Sequence, residues 1–335
     1  MSFNFDTKVL KIDDYSLNLA KNLIKSGELV AFPTETVYGL GADATSSDAV
    51  NKIYTAKGRP SDNPLIVHVH ENYDISDLVY IDHDYVYKLQ KAFLPGPLTM
   101  IYRSKGKVSN VVSCGLDTLA VRVPSNESAQ AFLKAVNLPI SAPSANISKH
   151  TSPVTAQHVF EDLNGRIQLI LDGGKCSGGI ESTVLDVTTE TPIILRSGLI
   201  TQEMIKKVVG ACEYGDSKPT DKVKSPGCKY KHYSPKCNTK LFEANQIELA
   251  QAYYNECLSN GGNPYFLVDD SAKVKLKGQF LSLGGSAEEI ASNLYDKLLE
   301  GEKVASVIIA VAINTNNQID VGIMNRLRKA CSTNE

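Results

Sequence analysis

Cations, short hydroxyls and glycines, gathered where apolar runs end, are the residues of this chain best suited to chemistry. Lys57 and Arg59 stand one residue apart in AKGRP, with Asn63 following. Two cations set in a turn by Gly58 and Pro60 suit an anion, although a helix C-terminus also favours cations that are merely solvated. Ser144 and Asn146, alternate residues of PSANIS, share one side of an extended chain. They suit a phosphate or a base, and the same residue types also make a plain turn. The run LDGGKCSGGIESTVLDV (171–187) concentrates glycines whose amides can converge on an anion, yet no GxxxxGK[ST] signature occurs in it. Arg196 ends the apolar PIILR and puts a charge where a strand leaves its sheet. Arg122, inside the alternation AVRVP, requires a partner, either a salt bridge in the core or a carboxylate gripped by two parallel hydrogen bonds. His68 in LIVHVH reads as a structural histidine. No Ser-His-Asp order, HExxH or paired-carboxylate spacing accompanies these groups. Many anion and hydroxyl contacts with little acid–base machinery suit nucleotidyl transfer, where positioning and charge stabilisation dominate.

Positioning these groups falls to a dense mixture of strands and helices. The stretch 29–65 opens as an apolar strand, passes Thr34, Glu35, Thr36 and Tyr38, and becomes helical after Gly39 and Gly41. It reads as one wall of a pocket for a phosphate-bearing ligand. Helices are expected over 16–26, from a cap at Ser47, over 85–93, from Ser125, over 155–163, and from a cap at Thr201. Strands are expected over 28–32, 65–70, 98–102, 119–123, 138–142 and in QLILD, STVLDV and PIILR. Without a strict βαβ alternation, the pattern implies an α/β domain with a mixed, twisted sheet.

Composition shifts near Gly210, where a Lys-, Pro-, Ser- and Tyr-rich stretch without periodicity begins. The expected organisation is a domain over 1–210, a linker over 211–239 and a small parallel α/β unit over 240–335. With 335 residues and a net charge of −2, the chain has room for more than one domain and no global field to recruit nucleic acid or membrane. No apolar run is long enough to span a bilayer, and the first residues lack a signal-peptide pattern, so a cytoplasmic location is expected. Seven scattered cysteines read as reduced thiols. Cys228 and Cys237 flank His232 at a spacing unlike compact zinc motifs, and no metal site is expected there.

Taken in order, PTETVYGLG, KGRPSDNPL, PGPLT, VRVP, SAPSAN, GGIESTVLD and RSG closely resemble the YrdC/YwlC-type threonylcarbamoyl-AMP synthases. SPGCKYKHYSP and the closing GIMNRLRKA resemble the two-domain, longer branch, with Cys228 standing where the family commonly has methionine. The resemblance spans residues 15–333 and implies a twisted α/β sheet enclosing a large cavity, then a linker and a Rossmann-like C-terminal domain. It implies an enzyme that joins L-threonine, bicarbonate or CO2, and ATP into threonylcarbamoyl-AMP with release of pyrophosphate. It further implies Mg accompanying ATP, a downstream transferase that modifies the tRNA adenosine beside the anticodon, and weak tRNA binding.

Position by position, the resemblance implies that Lys57 and Arg59 are catalytic and bind ATP together with Asn63, Thr118, Ser144, Asn146, Ser152, Arg196 and Tyr233. Thr36, His68, Arg122, Ala142 through its backbone, and Ser182 fall where threonine is held. On this reading His68 becomes a substrate contact, Tyr233 belongs to a lid over the nucleotide, and Glu35 is assigned no role. The competing readings are an RNA-binding module of the same fold, opposed by the near-neutral charge, and carbamoyl transfer in hydrogenase maturation, whose extra domains are not found here.

Overall fold

The computed structural model describes residues 5–215 and 233–331, which fall into two compact units. One comprises residues 5–148, 153–177 and 181–215; the other comprises 149–152, 178–180 and 233–331. Of the expected linker, residues 216–232 lie outside the described residues, and with them Cys228 and His232.

The first unit is built on a mixed sheet in which twelve strands are described. Its path runs Lys8–Lys11, Leu169–Asp172, Val30–Phe32, Gly39–Asp43, Ile140–Ser141, Ile66–His68, Thr118–Arg122, Leu98–Ser104, Thr183–Asp186, Ile193–Arg196 and Glu213–Tyr214, with Val79–Tyr80 beside Leu98–Ser104. Ile66–His68 pairs in parallel with Thr118–Arg122, and Leu98–Ser104 with Thr183–Asp186, whereas Ile140–Ser141 runs antiparallel to both its neighbours. Strands covered on both faces read as continuous apolar runs rather than alternations. That is why Ile66–His68 is buried throughout.

One side of the sheet carries the helices Asp14–Lys25 and Glu127–Val136. Ala20, Ile24, Phe132, Leu133 and Val136 from them pack with Val30, Phe32, Leu169 and Leu171. Their starts are set by side-chain caps. Asp13 and Ser16 make a reciprocal capping box, and Asn126 accepts from the Ala129 amide. Two expected caps move by one residue. Ser46, not Ser47, caps Ser47–Lys57, and Asn126, not Ser125, caps Glu127–Val136. The cap must itself be extended, and it is the residue before the helix that meets this condition.

A larger departure concerns GLGAD, expected as a glycine passage into a helix. It forms the strand Gly39–Asp43, antiparallel to Val30–Phe32. A Cβ on Gly41 would lie 2.9 Å from Ile140 Cγ2 and 3.1 Å from the Phe32 ring. Glycine here is a packing requirement, which strand propensity alone does not reveal.

The second unit contains a parallel sheet in the order Asn238–Phe242, Val307–Val311, Pro264–Val268, Phe280–Ser282. The helices Ile247–Ser259, Ala287–Val304 and Ile319–Cys331 alternate with these strands, as the pattern of the tail predicts. Val307–Val311 is buried at every position and packs with Phe266, Val268 and Tyr254 in one apolar core. Segments 149–152 and 178–180 belong to this unit. A Cβ on Gly179 would stand 2.3 Å from the Ala291 carbonyl oxygen, so the backbone there approaches the long helix too closely for a side chain. Segment 149–152 is held by Thr151 Oγ1 donating to the Tyr233 carbonyl at 3.2 Å, and by His150 paired with Glu302 at 2.8 Å.

Candidate active site

Register places a row of polar groups across the first sheet. Residues paired across strands show their side chains on the same face. His68 pairs with Arg122, Arg122 with Thr99, Thr99 with Val184, and Val184 with Arg196. His68 and Arg122 also stand at the C-terminal ends of their parallel strands, where open α/β sheets receive ligands.

Arg122 is the hub of this row and only 4% exposed. Its Nη1 donates to Thr36 Oγ1 at 2.8 Å and its Nε to the Gly96 carbonyl at 3.4 Å. Its Nη2 lies 2.8 Å from Glu35 Oε1. The partner that the sequence demanded for Arg122 is therefore, within the chain, Glu35. Thr36 is aimed by its neighbour. Thr34 Oγ1 accepts from the Thr36 and Val37 amides and sits 2.9 Å from Thr36 Oγ1. On the other flank Ser182 Oγ is 2.8 Å from Thr99 Oγ1 and accepts from Arg196 Nη2 at 3.1 Å. Arg196 Nε also donates to the Ser182 carbonyl at 3.1 Å. Ala142 closes the row, its amide donating to the Ile66 carbonyl at 2.9 Å.

His68 is buried, and its ring meets Phe32 edge-on at 6.1 Å between centroids. Burial, with the Arg122 charge adding to it, depresses its pKa to about 3, so the imidazole is neutral at ordinary pH. Burial pushes the neighbouring Cys176 thiol up to about 12, with the Glu35 charge contributing, so the thiol is protonated. Thr118 sits at the opposite end of the Arg122 strand, about 13 Å along it at the usual rise per residue.

A second cluster forms around Lys57, the last residue of the helix Ser47–Lys57. Gly58 ends that helix in a left-handed conformation, φ 58°, which a glycine adopts without penalty. Lys57 is 2% exposed, and its Nζ donates to the carbonyls of Ser144 and Asn146. Burial, followed by the Arg59 charge, holds its pKa well below the usual lysine range. Ser144 and Asn146 are thus joined to Lys57 through their backbone as well as their position, a link that the side-chain reading did not contain. Arg59 Nη2 donates to the Asn63 carbonyl at 3.3 Å. Asn63 is buried, and both atoms of its amide group lack a hydrogen-bond partner among the described residues. Such orphans are costly unless something supplies the bond.

The other two predicted residues, Ser152 and Tyr233, lie in the second unit. Tyr233 has φ 70° and stacks on Tyr295 at 5.3 Å between centroids. Among the described residues no group of three or more His, Cys, Asp or Glu is arranged to hold a metal ion, and no helix is long and apolar enough to cross a membrane. Two residues escaped the sequence reading. Thr99 supports Ser182 but lies in an unremarkable apolar run, and its only signal is strand pairing. Glu35 had a signal: an acid between two threonines at the end of a buried strand needs a cation.

Comparison with known proteins places this geometry in context. Residues 22–198 match the Sua5/YciO/YrdC family, described as "Telomere recombination", and residues 200–332 match "Threonylcarbamoyl-AMP synthase, C-terminal domain". A threonylcarbamoyl-AMP synthase of Bacillus subtilis is 42% identical over 97% of this chain and 95% of its own length. One from Pyrococcus abyssi is 38% identical over 96% of this chain and 95% of its own. The crystal structure of P. abyssi Sua5 complexed with L-threonine is similar at a TM-score of 0.89 and 37% identity, covering 97% of this chain and 98% of that one.

Proposed function

The chain belongs to the threonylcarbamoyl-AMP synthase family, and from that premise we propose how its residues divide the work. The reaction joins L-threonine, CO2 or bicarbonate, and ATP into L-threonylcarbamoyl-AMP and releases pyrophosphate. The observation that carries the assignment is Arg122, a buried guanidinium with one group, Nη2, that lies beside Glu35 and that no aligned hydrogen bond satisfies. A substrate carboxylate placed there gains a charge-assisted contact in a water-poor site.

In this reading Thr36, His68, Arg122, Ala142 and Ser182 hold threonine. His68, neutral and with Nδ1 unpartnered among the described residues, offers a hydrogen bond without adding charge. Arg59, Asn63, Thr118, Ser144, Asn146, Ser152, Arg196 and Tyr233 bind ATP, with Lys57 fastening the Ser144–Asn146 turn from beneath. Threonine's amine, once it has lost its ammonium proton to solvent, captures CO2 as a carbamate with release of a second proton, and a carbamate oxygen attacks the α-phosphorus while pyrophosphate leaves. Lys57, Arg59 and Arg196 offset the charge that builds on the phosphates. Mg, which favours phosphate oxygens and retains its waters, would come with the triphosphate rather than occupy a protein cage. The mixed anhydride hydrolyses readily, so exclusion of water by the buried row protects it. The product then passes to a transferase acting on tRNA, consistent with a cytoplasmic location.

The assay is incubation with ATP, Mg, L-threonine and labelled bicarbonate. Label is expected in an adenylated threonine, with threonine-dependent pyrophosphate release. Arg59→Ala should abolish that release in a protein that remains folded by circular dichroism. Wild-type turnover in the variant refutes the assignment.

A further inference from the structure

Glu35 is buried beside Arg122, and the division of work above leaves it idle. We propose that Glu35 and Arg122 together receive a zwitterion, Arg122 taking the α-carboxylate of the amino acid and Glu35 its α-ammonium. The pair thereby selects an α-amino acid over a carboxylic acid of the same shape. This rests on the threonine reading and deepens it.

The geometry of the pair is the argument. Glu35 Oε1 and Arg122 Nη2 are 2.8 Å apart, yet neither atom makes an aligned hydrogen bond. The other two directions of the guanidinium are committed, Nη1 to Thr36 Oγ1 and Nε to the Gly96 carbonyl. Both carboxylate oxygens of Glu35 are buried without a hydrogen-bond partner among the described residues. Donors and acceptors therefore stand unmet side by side. A ligand that presents an acceptor and a donor on one carbon satisfies both at once. An ion pair formed only for stability would turn its atoms into alignment, since buried charges are costly without hydrogen bonds.

Charge gives the same result. Arg122 and Glu35 sum to zero, and two titratable groups that feel them, His68 and Cys176, add nothing, His68 being neutral and Cys176 protonated. A bare carboxylate entering this site adds a negative charge facing Glu35 in a low dielectric. A zwitterion adds none and gives each member of the pair an opposite partner.

The test is calorimetric titration of the full chain with L-threonine and with 3-hydroxybutyrate, which is threonine without its amine. Wild-type protein should bind the hydroxy acid at least about tenfold more weakly than threonine. Glu35→Gln should lose affinity for threonine and gain it for 3-hydroxybutyrate, reversing the preference. A purely structural Glu35 predicts that both ligands weaken together, and that result overturns the proposal, as does a variant with unchanged threonine affinity. Should Glu35→Gln fail to fold, the wild-type pair of titrations decides, equal affinity for the two ligands being the refuting outcome. L-Serine and L-valine separate the two claims. Tighter binding of either than of threonine refutes the threonine reading, while the amine preference is then judged on that amino acid and its deaminated counterpart.

Discussion

The two sheets of this protein treat their interiors in opposite ways. Val307–Val311, central in the small parallel sheet, is apolar and buried at every position. In the large sheet the strands Ile66–His68 and Thr118–Arg122 are equally inaccessible at their ends, yet those ends hold a histidine and an arginine. The buried carboxylate of the second unit is satisfied from within that unit. Glu302 accepts from His150 at 2.8 Å and from the Lys236 amide at 3.1 Å. Burial alone would push its carboxyl up, but these donors outweigh it and hold its pKa low. In the first unit Glu35, Asn63, His68 and Arg122 each keep a buried atom without a hydrogen bond among the described residues. A sheet that serves as scaffold satisfies its polar groups internally, whereas one that receives a ligand leaves them for the ligand to satisfy.

Removing the hub tests this contrast most severely. Arg122→Gln should abolish threonine-dependent pyrophosphate release and lower stability by about 3–5 kcal/mol, because Glu35 is left buried beside no cation. Denaturant titration and the pyrophosphate assay measure the two effects. Retained turnover would mean that the row is scaffold after all. In the second unit Ile309→Ala removes fully buried apolar volume. A loss of about 2–5 kcal/mol is expected in the unfolding of that unit, with no change in the threonine affinity of the first.

Gly41→Ala asks how tightly the strand beneath the site is packed. The new methyl group meets Ile140 and Phe32 at 2.9 and 3.1 Å, and overpacking of this kind costs about 1–3 kcal/mol. A neutral result would show that Phe32, and the His68 ring against it, can shift. A further effect is in pH. With its folded pKa depressed to about 3, His68 stays neutral in the folded state while the unfolded chain takes up a proton below about 6.5. Stability should therefore fall as pH drops from about 6.5 toward 3, by up to about 1.4 kcal/mol per pH unit from this group. His68→Gln should flatten that slope, and an unchanged slope would place the titration elsewhere.

Much of the architecture was legible because it is written locally. Amphipathic spacing located Asp14–Lys25, and Thr201 and Gly210 bracket Gln202–Val209 as cap and stop. The strand Gly39–Asp43 was missed because its glycines answer to Phe32 and Ile140, which approach from other elements. The site divides in the same manner. Arg122 was conspicuous as a cation in an apolar strand, and its need for a partner followed from desolvation alone. Which partner it has did not follow, because Glu35 lies far back in the chain and reaches it by way of the sheet.

From residue types and spacing came the mixed α/β class, the small parallel unit in the tail, the cations at Lys57 and Arg59, and the family motifs in their order. These depend on periodicity, caps and turn chemistry, all of which act over a few residues. The tertiary structure added the row His68–Arg122–Thr99–Arg196, the seat of Lys57 against the carbonyls of Ser144 and Asn146, and the neutral state of His68. Each of these depends on strand register or on exclusion of water, and both are properties of segments distant in the chain once they have packed together.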